Sequence, residues 1–138
     1  NNFSDLQNVK FLQGNLRDDI LSDNQILELY HNADLVILPL KTSTQPSGQS
    51  VAIQSMSSGT PVLMTKTKGF WDIGKYIDSK NIFFVNTQSL EDWDISLKKI
   101  SNNLSSIVEV SARGRKVVEE NHDLNNFVVN LDYYLVEI

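Results

Sequence analysis

Asn32-Ala33-Asp34-Leu35-Val36-Ile37-Leu38-Pro39 is followed, after a polar loop, by Ser47-Gly48-Gln49-Ser50-Val51 and then by Gln54-Ser55-Met56-Ser57-Ser58-Gly59-Thr60-Pro61-Val62. The unbroken apolar run Leu35 to Leu38, closed by Pro39, reads as a strand buried on both faces. Gln49 to Ser58 reads as a short helix, with Gly59 and Pro61 as its stop signal. Pro61-Val62-Leu63-Met64, extending to Thr65, is the next strand. Strand, helix, strand at this length is a crossover unit, and crossover units build parallel sheets.

The same alternation extends outward. Upstream, Val9-Lys10-Phe11-Leu12 reads as a strand (9–12) that stops at Gly14-Asn15. Ser22 and Gln25 have capping-box spacing, and Ile26, Leu29, Tyr30 and Ala33 fall on one face of the helix behind them. Downstream, a short helix around Phe70 to Tyr76 leads to a strand at Ile82-Phe83-Phe84-Val85. The remainder, 90–138, is a helical tail. Ser89 caps a segment carrying Trp93, Leu97, Ile100 and Leu104, and Ile107 to Glu120 forms a second helix. Asp123 caps a third, striped by Leu124, Phe127, Val128, Leu131, Leu135 and Ile138 and read as core-packing. The expected fold class is α/β: one Rossmann-like domain over 1–138, a parallel sheet with helices on both faces.

Composition narrows the function classes. The chain has 138 residues with 41% hydrophobic and 21% charged, which suits one packed domain and argues against disorder. Its formal charge of −5 repels phosphate backbones, so nucleic acid is not an expected partner. With no cysteine, disulfides, thiolate metal sites and cysteine catalysis all fall away, which fits a cytosolic protein. His31 and His122 lie far apart without metal-ligand spacing and read as surface or helix-end residues. Glu91-Asp92 and Glu119-Glu120 read as solvated faces, and Trp71 and Trp93 as core or cleft wall. No apolar run approaches the ~20 residues of a membrane helix.

In open parallel sheets, ligands bind beyond the carboxyl ends of the strands. Four loops should occupy that edge: Gln13 to Asp19, Leu40 to Gly48, Thr65 to Gly69, and Asn86 to Gln88. The second is long and ends in Pro46-Ser47-Gly48-Gln49-Ser50 at a helix start. There, unpaired N–H groups and a partial positive charge suit a phosphate or a sugar hydroxyl. The plainer reading is that Ser47 caps the helix and Gly48 permits the turn. Gln54 lies one turn beyond Ser50, within reach of a ligand held at that terminus.

Taken together, the quoted stretches resemble the carboxyl-terminal half of GT-B glycosyltransferases, more narrowly the large retaining group 1 or GT4 family. That family shows a strand like "ADVFVLPS", a loop ending near a Gly, and then "EAMAxGxPVV". Val9 to Gly14 is similar to its "VxFxG", and Lys68-Gly69 takes the place of its "GG" loop. The resemblance implies two Rossmann-like domains, with the carboxyl-terminal one binding a nucleotide-sugar donor and the other binding a glycan or lipid-linked acceptor. It places Ser47, Gly48, Gln49 and Ser50 at the diphosphate or sugar, Gln54 at the ribose, and Gly14, Asn15 and Leu16 near the base. Lys41 is a candidate for neutralising the diphosphate, while Lys66, Lys68 and Gly69 line the cleft. The family's paired glutamates are replaced by Pro46 and Gln54, and an amide lacks a carboxylate's charge-assisted bonds. No resident cofactor and no metal are implied. The expected location is cytoplasmic, with a peripheral place at the inner membrane face.

The family's first two strands and its acceptor domain have no counterpart here. In the order 3-2-1-4-5-6, the gap falls between Val9–Leu12 and Leu35–Leu38. Either those strands pair directly, or self-association or a partner chain completes the sheet, and the fragment alone is expected to be inactive. The alternative reading is a non-catalytic α/β interaction or accessory module derived from the same fold.

Overall fold

The computed structural model describes residues 7–10, 21–70 and 72–136. Three strands, β1 (Val36–Leu38), β2 (Val62–Thr65) and β3 (Phe83–Val85), form a parallel sheet in the order β1-β2-β3. Five helices surround it: α1 (Asp23–His31), α2 (Gln49–Ser57), α3 (Leu90–Ser101), α4 (Leu104–Asn121) and α5 (Leu124–Val136). Ile73–Lys75 form only a 3-10 turn between β2 and β3.

Side chains alternate across the central strands and so build two cores. Val62, Met64 and Phe84 face α2 and the end of α4, packing with Ala52, Met56, Phe70, Tyr76, Ile82 and Val118. Leu63, Phe83 and Val85 face the other way, against Trp93, Ile100 and Val110 of α3 and α4. Burying each large side chain contributes about 1.5–3 kcal/mol, which makes β2, wholly buried, the centre of stability. The helix ends follow their sequence signals. Ser22 and Gln25 form a reciprocal capping box. After α2, Gly59 donates to Met56 O and Thr60 to Ser55 O, the paired bonds of a Schellman stop.

Three expectations are corrected, for β1, α5 and Leu104. The expected strand at 9–12 lies partly outside the described residues: Val9 and Lys10 are described without strand pairing, and Phe11 and Leu12 are not described. β1 is consequently the edge of the described sheet, and it is not buried on both faces: Ile37 is 44% exposed. α1, with no described strand beneath it, buries none of its residues. Along α5, Leu124, Phe127, Val128 and Leu131 are exposed where core packing was expected, and Leu135 and Ile138 lie outside the residues whose side chains are described. Leu104 does not continue the helix of Trp93; it begins α4 and is exposed.

His122 is the helix-end residue the sequence suggested. It caps the end of α4, half-buried, and a 2.7 Å hydrogen bond joins its Nε2 to the Tyr76 hydroxyl. Tyr76 is itself buried against Phe70, edge to face. Burial, and secondarily the nearby Asp72 carboxylate, push its hydroxyl up from 10.0 to about 12. The folded value lies above the unfolded one, so this contribution is complete below about pH 10 and is lost as pH rises through about 12. Melting temperature should therefore decline across that window, and Tyr76→Phe should show a shallower decline.

Candidate functional site

The strands are parallel, so the segments after β1, β2 and β3 share one edge of the sheet. Ten residues separate β1 from α2, between Leu38 and Gln49. Side chains and backbone stitch the three segments together. Leu40 N–H donates to Thr65 Oγ1 at 3.0 Å, and Gln88 Nε2 donates to Thr42 Oγ1 at 2.9 Å. Gly69 N–H donates to Ser43 O at 3.1 Å. Gln49, 6% exposed, closes the seam by donating its Nε2 to Gly69 O at 2.5 Å. Its Oε1 and the Thr67 hydroxyl are buried without a partner among the described residues.

α2 begins at Gly48, not Ser47. Gly48 is the N-cap, at φ +71, in the left-handed region that glycine enters without strain. No side chain caps the helix, so the reading of Ser47 as cap is overturned. The first-turn N–H groups of α2 are thus left without a side-chain acceptor at a positive helix end, on the sheet's carboxyl edge. Ser47, Gln49 and Ser50 stand at the same terminus.

Other candidate residues are dispersed. Gln54 faces α1, where its Oε1 accepts from the Tyr30 hydroxyl at 3.2 Å. The two residues line a groove of about 260 Å³ with Asp23, Ile26, Leu27, Ser57 and Ser58. Tyr30 carried no functional signal in the sequence, since its helical spacing matched an apolar face. Lys41 lines a separate hollow with Thr65, Gln88 and Trp93. Lys66 sits with its Nζ 5.5 Å from the Phe84 ring centroid, a cation–π distance. Lys68 lines a cavity of about 520 Å³ with Thr42, Ser43, Thr44 and Gln45. Gly14, Asn15, Leu16 and Trp71 lie outside the described residues. Among the described residues, no cluster of three or more His, Asp or Glu could hold a metal ion. None of the described helices is long and apolar enough to cross a membrane.

Solved structures share this fold. HepE of Anabaena, crystallised with UDP, superposes with a TM-score of 0.67 at 17% identity, over 80% of this chain and 29% of that one. The fold is that of part of a GT-B Rossmann-like domain. Sucrose-phosphate synthase from Thermosynechococcus elongatus superposes on this GT-B portion with a TM-score of 0.69 at 20% identity, over 84% of this chain and 28% of its own. The chain thus spans less than a third of either structure. Neither a protein-family model nor a curated protein matches it.

Proposed function

We propose that this chain is the donor-binding part of a retaining glycosyltransferase of the group 1 or GT4 kind. It would bind a nucleoside diphosphate sugar for transfer to a glycan or lipid-linked saccharide. One observation carries the reading: the uncapped N-terminus of α2, opened by Gly48 at φ +71, on the carboxyl edge of a parallel sheet. Backbone N–H groups there would take the diphosphate oxygens, with Ser47, Gln49 and Ser50 around the sugar. As negative charge develops on the departing diphosphate, fixed N–H dipoles stabilise it without reorganising. Gln54 would hydrogen-bond the ribose through its amide, with Tyr30 fixing the side chain. Gly14, Asn15 and Leu16 remain the proposed base contacts, and Lys41 a proposed diphosphate cation. HepE, which shares this fold, was crystallised with UDP, and that supports a nucleotide ligand for the chain. The metal-free, cofactor-free character of the reaction belongs to the same proposal.

The edge of β1 that no described strand covers, and the exposed Leu124, Phe127, Val128 and Leu131 of α5, fit a chain whose sheet continues in further strands of the same fold. On this reading transfer needs those strands and an acceptor domain as well. The competing reading, a non-catalytic module, draws on Pro46 and Gln54, which put no carboxylate at either glutamate position.

Calorimetric titration with UDP, GDP and ADP separates the two. The donor reading expects one nucleotide to bind in preference to the others. Gln54→Ala should weaken it about tenfold, the loss of roughly 1.4 kcal/mol of ribose contact. A well-folded chain that ignores all three nucleotides would favour the non-catalytic module.

A further inference from the structure

The hydroxyl-lined cavity between the β1–α2 segment and the β2 loop has a chemistry that nucleotide binding does not use. Its described lining is Thr42, Ser43, Thr44, Gln45 and Lys68: three hydroxyls, one amide and one ammonium, with no carboxylate among the described residues. In a chain of net charge −5, that makes it a local positive site. The five described ion pairs engage Lys75, Lys98, Arg113, Arg115 and Lys116, so among the described residues Lys68 has no carboxylate partner.

Hydrogen bonds hold two of the hydroxyls. Thr42 Oγ1 already accepts from Gln88, which leaves its own O–H to donate into the cavity. Ser43 Oγ accepts from Gln45 N–H at 2.9 Å and is likewise left with a free O–H. Gly69 N–H holds Ser43 O, and a Cβ on Gly69 would come within 2.1 Å of Gln45 O, so the two loops touch at that point. Preformed donors around one cation suit a ligand rich in hydroxyl oxygens that also carries a negative charge. At about 520 Å³ the volume is within the range of small-molecule pockets, ~300–1,000 Å³.

We propose that this cavity binds an anionic sugar, with Lys68 taking the phosphate or carboxylate and Thr42, Ser43 and Thr44 taking the ring hydroxyls. The inference rests on the donor-site reading only for the choice of a sugar as the polyol. It deepens that reading by selecting charged over neutral sugars, a preference the α2 terminus alone does not supply.

The test is a backbone-amide NMR titration of the chain with glucuronate, glucose 1-phosphate, glucose and inorganic phosphate, with UDP in a parallel arm. Glucuronate, glucose 1-phosphate or both should shift the amides of Thr42 to Gln45 and of Lys68. Glucose should bind about tenfold or more weakly, as should the charged sugars to Lys68→Gln. Melting temperature should be unchanged in that variant. Thr44→Ala should weaken the sugars without affecting inorganic phosphate. Equal binding of glucose, insensitivity to Lys68→Gln, or shifts produced by inorganic phosphate as strongly as by the sugars would each overturn the proposal. UDP binding without any sugar response would overturn it while leaving the donor site intact. A sugar response without UDP binding would sustain it while removing the donor reading.

Discussion

Gly69→Val should lower the melting temperature by roughly 3–10 °C, as expected when overpacking costs about 1–3 kcal/mol in a domain of this size. A Cβ on Gly69 meets Gln45 O at 2.1 Å, Gln45 C at 2.4 Å and Thr44 C at 2.9 Å. All three are backbone atoms, so no rotamer change relieves the clash and one loop must leave the other. Two bonds go with it: Gly69 N–H to Ser43 O, and Gln49 Nε2 to Gly69 O. The second leaves a buried amide unpaired beside an oxygen that already lacks a partner, which adds desolvation cost. Gly74 is the natural control, since a Cβ there meets nothing within 4 Å, and Gly74→Ala should leave the melting temperature nearly unchanged. Thermal unfolding of the three proteins side by side reads the difference.

Gly48→Val should abolish nucleotide binding. At φ +71 a β-branched residue is strained by about 1–3 kcal/mol, and its Cβ would lie 2.8 Å from Leu40 Cδ1. The leucine methyl can move aside, so the chain should still fold, with a modestly lower melting temperature. The peptide groups that open α2 cannot keep their aim, however, and a diphosphate depends on that aim. Gly48→Asn separates strain from competition. Asparagine tolerates the left-handed conformation, and its side chain can cap the first-turn N–H groups that a phosphate would use. Nucleotide affinity should therefore fall about tenfold or more with little loss of stability. Calorimetry and thermal unfolding on the same samples give both values.

The sheet was legible because each strand from β1 to β3 is a short apolar run bounded by Pro, Gly or polar loop residues, and the helix stop at Gly59-Thr60-Pro61 is a local signal. The long segment ending at Gly48 could be located the same way, because chain length and glycine position are local properties. What covers an apolar face is not local. The stripes of α1 and α5 have helical period, but period says only that a face is apolar, and among the described residues little covers either face. Likewise β1 reads as an interior strand from its residues and sits at the edge of the described sheet.

The interior of the candidate site was the least readable part. Its ties join residues far apart in sequence, such as Gln88 with Thr42 and Gly69 with Ser43, and neither pair has a motif. Gln54 shares a helical face with Ser50 by spacing, yet a tyrosine on another helix fixes where its amide points. Helical spacing places a residue on a face; the partner across that face decides its orientation.

The most direct test of the donor site is a backbone-amide NMR titration of the chain with UDP, GDP and ADP. A working site predicts saturable, base-selective shifts at Gly48, Gln49 and Ser50, absent in Gly48→Val. If those three amides stay fixed at nucleotide concentrations well above the millimolar range, or if the shifts cluster in the apolar hollow of Leu35, Leu97 and Leu104, the donor-site account is contradicted.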